Sequence, residues 1–276
     1  MASYRFCRTD DIALLVDAHN ACRGAGCPDP PLTVDDFKRD ARELGLWASS
    51  CMLAFDGTTP IAVLLGAKRS DANRVQHIAV SAEHRRRGHG RHLLESLRHK
   101  VAILGPPRLV AEAPAADAAA CRFFERCGFS PYARFADFSA DGPLAVDRQA
   151  NLVSPATIDE LLAAGALDPS PSLAWERSMP AIESRRREIE GLAIASDVSI
   201  EALVLFRPTA RGNEIVRLSA RRAEPLAALV AALQRRRGGA ILVPKVSATE
   251  VDFAVLEALG FRRGSEYIGL MADLAA

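Results

Sequence analysis

The chain has 276 residues, of which 49% are hydrophobic and 25% are charged. This mix is typical of a globular protein and excludes general disorder, and the length predicts one large or two ordinary domains. The 35 basic and 34 acidic residues give a formal net charge of +1, so the overall charge does not indicate a nucleic-acid or anionic-membrane partner.

Hydropathy and cysteine usage indicate the cytoplasm. No uninterrupted apolar run approaches the roughly 18 residues of a membrane span, and the charged amino terminus does not resemble a signal peptide. The six cysteines all lie in the first half, without paired metal-ligand spacing. We therefore expect a cytoplasmic protein with reduced thiols, no membrane association and no metal site.

The first half alternates strands with helices. Residues 4–8 alternate as a strand does, and residues 12–19 have apolar positions at helical spacing. A Gly/Pro-rich loop, residues 23–31, separates this helix from a second amphipathic one. The elements predicted next are helix 34–44, a hairpin of strands 51–55 and 61–67 turning at Asp56-Gly57, strand 74–80, loop 81–90, a helix with Leu93, Leu94, Leu97 and Val101 on its apolar side, strand 109–112 and helix 118–127 ended by Gly128.

The second half repeats part of the first. Residues 109–111 match residues 241–243, and residues 125–129 match residues 257–261, so both matches lie 132 positions apart. An ungapped match across a strand, a helix and a Gly-Phe stop indicates an internal duplication. A turn at Asp141-Gly142-Pro143 places the boundary there. We therefore predict two domains, residues 1–140 and 141–276.

The most informative segment is Ile78-Ala79-Val80 and the loop that follows it. A buried strand ends there, a loop with Gly88 and Gly90 follows, and a long helix begins. The first N–H groups of a helix have no intrahelical partner, and the helix dipole favours negative charge at this end. Glycines let the backbone approach a phosphate closely, and arginines add charge. The segment predicts an anion site with pyrophosphate as its ligand; a ligand-free glycine-rich turn is the alternative.

Two motifs in this half resemble signatures of the GNAT superfamily of acyl-CoA N-acyltransferases. Arg85-x-x-Gly88-x-Gly90 resembles the family's Gln/Arg-x-x-Gly-x-Gly/Ala pyrophosphate motif, and Phe123-Phe124 followed by Gly128-Phe129 resembles its second signature. The order of elements is also similar. The resemblance implies an α/β fold of two tandem GNAT-like domains, each a mixed sheet with splayed central strands. The resemblance also implies a degenerate second copy, in an architecture similar to that of mycothiol-synthase-like tandem members of the superfamily.

The resemblance also implies how the site works. Acyl-CoA would lie between the two splayed strands, with its pyrophosphate on main-chain N–H groups of the loop and its thioester polarised by the strand backbone. An amine would then attack directly, without a metal or a nucleophilic side chain. The residues expected to bind the cofactor are Ile78, Ala79, Val80, Arg85, Arg86, Arg87, Gly88, His89, Gly90, Arg91, Asp117 and Phe124.

The chain departs from the family at positions that matter for proton transfer. Phe124 stands where the family often has a Tyr that protonates the leaving thiolate, and Asp117 stands where an Asn is common. Tyr132 is the candidate substitute acid, with Cys121 as a further one. The alternatives are a tyrosine that covers a strand end and a small buried thiol of the core. Glu112 and His77 are the candidate bases. The alternatives are a solvated strand end for Glu112 and a satisfied core histidine for His77.

The second half lacks the glycine loop. Ala220-Arg221-Arg222-Ala223 and then Pro225 stand where the glycines are expected. Without glycines the chain cannot wrap a pyrophosphate in the same way, so this half resembles a fold that has lost its cofactor. His84, His89, His92 and His99 cluster in sequence without a Cys or carboxylate partner at ligand spacing, so we expect no zinc.

The resulting expectation is an N-acetyltransferase that moves an acetyl group from acetyl-CoA, its co-substrate, to a primary amine of a small molecule or peptide. Loop 23–31 is expected to shape the acceptor pocket, and the second domain to complete the cleft or stiffen the pair. We expect no nucleic-acid partner and a monomer or homodimer. The alternatives are a non-catalytic acyl-CoA-binding or sensing protein, and a structural protein in which neither copy binds a nucleotide.

Overall fold

The computed structural model describes residues 2–24, 30–106, 108–142, 152–167, 170, 172–220, 222–272 and 274, which form two compact units. Unit 1 comprises Met1–Ala113, Asp117–Tyr132 and Leu270–Ala276, and unit 2 comprises Pro114–Ala116 and Ala133–Gly269. The units depart from a simple division at residue 140, because residues 135–140 pair with a strand of the second half. Cys27, residues 25–29 of the Gly/Pro loop, Pro143 of the boundary turn and Arg221 lie outside the described residues.

Unit 1 follows the predicted order of strands and helices. The antiparallel strands β1 to β4 lie side by side in that order, and β5 runs parallel to β4. The elements are β1 (Ser3–Phe6), α1 (Ile12–Cys22), α2 (Val34–Glu43), β2 (Met52–Asp56), β3 (Thr59–Lys68), β4 (Asn73–Val80), α3 (His89–Leu104), β5 (Leu109–Pro114), α4 (Ala118–Arg126) and the start of β6 (Phe129–Ala140).

Local hydrogen bonds fix the helix ends of unit 1. Thr33 and Asp36 form a capping box at the start of α2, and the Asp117 carboxylate caps α4 by accepting from the N–H groups of residues 119 and 120. The Asn20 side chain donates to the Leu32 carbonyl and accepts from the Leu32 N–H. Gly128 has φ +80°, a conformation that ends α4 and favours glycine.

The central strands β4 and β5 separate after a short paired stretch. Their parallel pairs are Asn73 with Leu109, Arg74 with Val110 and Val75 with Ala111, and pairing stops there although both strands are described to their ends. Gln76 is an extra residue in β4, since the pairing with β3 shifts at this point. A bulge bends its strand and raises the local twist. The predicted splay of the central strands is therefore confirmed.

Unit 2 repeats this plan. Its sheet has the order β6-β11-β10-β9-β8-β7, with β10 and β11 parallel, and a buried apolar cluster packs α7 against this sheet. Its elements are β7 (Ser154–Pro155), α5 (Ile158–Ala163), α6 (Met179–Ser184), β8 (Glu190–Ala195), β9 (Ile200–Thr209), β10 (Gly212–Ala220), α7 (Ala223–Arg237), β11 (Ile241–Ser247), α8 (Phe253–Ala258) and β12 (Arg262–Ala272), whose last residues belong to unit 1.

The internal repeat extends to backbone detail. The series β10-α7-β11-α8 repeats β4-α3-β5-α4, and Gly260 has φ +92° where Gly128 has φ +80°. Val216 is the extra residue of a bulge in β10, 140 positions after Gln76 of β4. The duplication inferred from the sequence is confirmed in the order and the irregularities of the strands.

Candidate functional site

The loop between β4 and α3 has an unusual backbone. A 3-10 helix, Ala82–His84, follows β4, and Arg85 donates from Nε to the Val80 carbonyl at 3.1 Å. Arg86 has φ +64°, and Gly88 has φ +88°. A positive φ is uncommon for a residue other than glycine and marks a backbone held by its surroundings. The loop therefore has a defined shape that brings the chain sharply into the helix.

Helix α3 presents its first N–H groups at the end of this loop. Gly88 is the N-cap residue, and the first intrahelical bond runs from His92 N–H to the Gly88 carbonyl. The earlier N–H groups have no acceptor within the helix and carry the positive end of its dipole. Arg86 and Arg87 are exposed beside them. This arrangement is suited to binding an anion such as a diphosphate.

The two glycines of the motif meet different demands. A Cβ on Gly88 would touch no described atom within 4 Å, so the left-handed φ is what requires glycine there. A Cβ on Gly90 would lie 3.5 Å from the Phe123 ring and 3.5 Å from a Val80 methyl group. These are ordinary van der Waals distances, so a small residue fits at position 90 between α3, the end of β4 and α4.

The remaining predicted loop residues have partners of their own. Arg91 pairs with Glu95 on the surface of α3 at 2.8 Å. The His89 ring is only 9% exposed, and its Nδ1 lies 2.6 Å from the Tyr4 hydroxyl. The Tyr4 ring also stacks on His92 with ring centroids 3.9 Å apart. His89 therefore offers its backbone to the anion site, while its side chain ties the helix start to β1.

The end of β4 has one strand edge that β5 does not cover. Ile78, Ala79 and Val80 pair with β3 on one side, and they lie beyond the last pair with β5. All three are partly exposed, although β4 is a central strand. An extended ligand with amide groups can hydrogen-bond to such an edge as an added strand does. The edge leads directly into the anion-binding turn.

His77 lies at the start of this uncovered edge. It follows the bulge residue Gln76 and is exposed, so the interpretation as a buried core histidine is wrong. Its ring meets the ring of His19 on α1 edge to face, with centroids 5.1 Å apart. Burial lowers the pKa of His19, and a hydrogen bond with the Asn20 side chain opposes this in part. The net lowering favours the neutral form of His19 beside His77.

Glu112 is buried in an ion pair. Its carboxylate lies 3.2 Å from Arg74 Nη2, and both side chains are at most 3% exposed. The interpretation as a solvated strand end is therefore wrong. The pair joins β4 to β5 at the point where the strands begin to separate. This position suits a group that holds the two strands in place, because breaking a buried ion pair is costly.

Three other predicted residues lie on α4 and β6. Asp117 is the cap of α4, and Phe124 is buried against Phe123 and Phe129 with ring centroids 5.4 and 5.2 Å away. Phe123 is thus the ring of the pair that faces Gly90. Tyr132 is half-buried at the start of β6. The roles assigned to Asp117, Phe124 and Tyr132 stay predictions.

Comparison with known proteins assigns a family to the part of the chain that contains the anion-binding loop and the uncovered strand edge. The sequence model of the acetyltransferase (GNAT) family matches residues 13–129. Residues 13–129 belong to the GNAT acetyltransferase family. The matched residues therefore form an acyltransferase domain, which contains the loop, the uncovered strand edge, His77 and Glu112.

Solved structures share the fold over the whole chain. A GCN5-related N-acetyltransferase from Sphaerobacter thermophilus has a TM-score of 0.70 at 16% identity, covering 99% of this chain and 96% of that one. A tandem GNAT protein from the clavulanic acid biosynthesis pathway has a TM-score of 0.64 at 16% identity, covering 100% of this chain and 99% of that one. A GCN5-related N-acetyltransferase from Anabaena variabilis has a TM-score of 0.59 at 12% identity, covering 99% of this chain and 73% of that one. At these identities the likeness shows a tandem GNAT fold and no more.

No curated protein sequence matches the chain. The narrower resemblance to mycothiol-synthase-like members stays a prediction. None of the helices among the described residues has the length and hydropathy needed to span a bilayer. Within the same residues, no three His, Cys, Asp or Glu side chains come together as a metal-binding group.

Sequence reasoning missed several residues of the GNAT domain that the fold brings to the site. His19 contacts His77, Arg74 pairs with Glu112, Tyr4 bonds to His89, and Phe123 faces Gly90. Phe123 had a usable signal, because it belongs to the aromatic pair of the motif. The other three depend on pairing between distant elements, which a single sequence does not reveal.

Proposed function

We propose that the GNAT domain transfers an acetyl group from acetyl-CoA to a primary amine of a small molecule or peptide. One observation carries the proposal: the anion-binding start of α3 directly follows a strand edge that β5 leaves uncovered. An anionic diphosphate and an extended amide-containing arm, joined in one molecule, fit these two features together. The residues present therefore fit acetyl-CoA.

The residues of this chain divide the work as follows. N–H groups at the start of α3, with Arg86 and Arg87, would hold the diphosphate. The backbone of Ile78 to Val80 would bond to the amide arm and orient the thioester. When bound, acetyl-CoA supplies an activated acetyl carbon, which bonds to the amine nitrogen as the C–S bond breaks.

Proton transfer is assigned to exposed or partly exposed side chains. His77 is the proposed base that takes the proton from the attacking amine, because it is exposed at the start of the uncovered edge. Tyr132 is the proposed acid that gives a proton to the leaving sulfur. Glu112 would act through the strands as a positioning residue, because Arg74 holds its carboxylate. We also propose a cytoplasmic location and a monomer or homodimer.

A CoA-release assay with a panel of primary amines and amino-terminal peptides tests this function. The proposal expects acetyl-CoA-dependent thiol release with at least one amine and loss of release in His77→Gln. Tight acetyl-CoA binding without turnover on any amine would instead support the acyl-CoA-sensing alternative. The absence of both binding and turnover would support a structural role.

A further inference from the structure

Unit 2 contains a second place where two parallel central strands separate. Both strands are described to their ends, and within them β10 and β11 pair at Asn213 with Ile241 and at Glu214 with Leu242 and no further. Beyond these pairs, the carbonyl oxygens of Ile215 on β10 and Pro244 on β11 accept hydrogen bonds from one side chain. Arg177 Nη1 donates to both, at 2.8 Å and 3.0 Å. A guanidinium group therefore bridges the two strands where their own pairing stops.

This guanidinium is buried and fully engaged. The Arg177 side chain is 1% exposed, and its Nε and Nη2 donate to the two Glu250 oxygens at 2.8 Å each. The Glu250 carboxylate is 2% exposed and also accepts from the Ser247 N–H at 3.2 Å. The bidentate geometry neutralises the buried charge and fixes the plane of the guanidinium. Arg177 lies in the 3-10 helix Trp175–Arg177 and reaches in from outside the sheet.

The internal repeat identifies the position in unit 1 that corresponds to the Arg177 bridge in unit 2. The bulges align β10 with β4, so Ile215 corresponds to Val75. The sequence match of residues 241–243 to residues 109–111 aligns β11 with β5, so Pro244 corresponds to Glu112. Val75 is the last residue of β4 that pairs with β5. Arg177 thus lies at the level where the gap of unit 1 opens.

We propose that Arg177 closes the inner end of a former acyl-CoA arm site, because it bridges the two strands where they begin to separate, three positions before residues 218–220, which correspond to the arm-binding residues 78–80 of unit 1. The inference rests on the proposed function for the location of the arm in unit 1. It explains how unit 2 keeps a separated strand pair without a ligand, since each bridged carbonyl is satisfied. It also implies that the chain binds one acyl-CoA and that unit 2 is closed to a second.

Two experiments test this proposal, and the first is chemical rescue of Arg177→Ala. Truncation removes the ion-pair partner of Glu250 and the donor of two strand carbonyls, so the melting temperature should fall by on the order of 10 °C. Low millimolar guanidinium should restore most of that loss, because it can bridge the same oxygens. Urea at the same concentration is the matched control and should not restore it. An unchanged melting temperature, or equal effects of guanidinium and urea, would overturn the proposal.

The second experiment asks whether the space between β10 and β11 binds pantetheine once Arg177 is removed. It can also be done if Arg177→Ala alone does not fold. Arg177→Ala with Glu250→Leu leaves no unpaired buried charge. Trp175, which is 6% exposed beside this place, reports on it once Trp47 is replaced by Phe. Millimolar pantetheine should change Trp175 fluorescence in this variant and not in the Trp47→Phe parent. No change in the variant would mean that Arg177 and Glu250 form a structural ion pair only.

Failure of the proposed function would look different. If the wild-type chain binds no acetyl-CoA in calorimetry, the assignment of the acetyl-CoA site to unit 1 fails. The guanidinium rescue of Arg177→Ala does not depend on that result, because it measures unit 2 alone. If the wild-type chain binds two equivalents, the closure of unit 2 is wrong even though unit 1 is active.

Discussion

His77 on β4 and Arg217 on β10 occupy the same position in the two units. Each follows the extra residue of a bulge and pairs with a leucine of the preceding strand, His77 with Leu65 and Arg217 with Leu205. His77 is exposed, whereas Arg217 is only 7% exposed. A neutral imidazole can accept a proton, and a guanidinium cannot. The same place in the fold therefore supports proton transfer in unit 1 alone.

Replacing His77 should slow the chemical step. We expect His77→Gln to lower kcat by about 10²- to 10⁴-fold, because the attacking amine loses its base. The Kd for acetyl-CoA should stay within about threefold, because the loop and the strand backbone are intact. Steady-state CoA release and equilibrium binding measure the two effects. His99→Gln on the exposed side of α3 is the control and should behave as wild type; an unchanged kcat in His77→Gln would remove His77 as the base.

Replacing Gly88 should weaken acetyl-CoA binding. An alanine at φ +88° costs about 1–2 kcal/mol in the left-handed conformation, so the loop should relax and misplace the N–H groups that bind phosphate. We expect the Kd to rise about tenfold or more. Gly57 in the β2–β3 turn has φ +60° and equally open surroundings, so Gly57→Ala carries the same strain away from the site. Equal Kd values for the two variants would contradict the loop assignment.

The buried pair of Arg74 and Glu112 allows the two candidate bases to be separated. Glu112→Ala removes the carboxylate that pairs with the buried Arg74 guanidinium and should destabilise the chain by about 3–5 kcal/mol, whereas Arg74→Met with Glu112→Leu should be nearly neutral. If Glu112 only positions the strands, the double variant should keep kcat within about tenfold of wild type. A loss in the double variant as large as that in His77→Gln would make Glu112 the base. Denaturant unfolding and CoA release provide the two readouts.

The raised pKa values of two buried thiols predict how the free energy of unfolding changes at alkaline pH. Burial raises the pKa of Cys7 and of Cys51 to about 12, whereas an unfolded thiol titrates near about 8.5. The folded chain holds these protons more tightly, so their contribution is complete below about pH 8.5 and is lost as the pH rises toward 12. Urea unfolding at pH 7.5 and pH 10 measures the decrease in the free energy of unfolding between the two pH values. This decrease should be smaller in the double variant Cys7→Ala with Cys51→Ala, and an identical decrease in that variant would contradict the prediction.

The parts of the molecule that the sequence predicted are those set by local patterns. Gly88, Gly90 and the arginines around them follow an apolar strand, and that order alone indicates an anion-binding helix start. The parts that were missed depend on register between distant segments. Glu112 is buried because the β4–β5 register brings it to Arg74. Arg177 carries no local motif, and only the separation of β10 and β11 gives it a function.

Amide hydrogen exchange with and without acetyl-CoA tests the central claim most directly, because it locates the ligand along the chain. Acetyl-CoA should slow exchange in peptides covering residues 76–80 and 86–92 and leave exchange unchanged in residues 214–226 of the second copy. Protection in the second copy, or no protection anywhere at saturating acetyl-CoA, would contradict it.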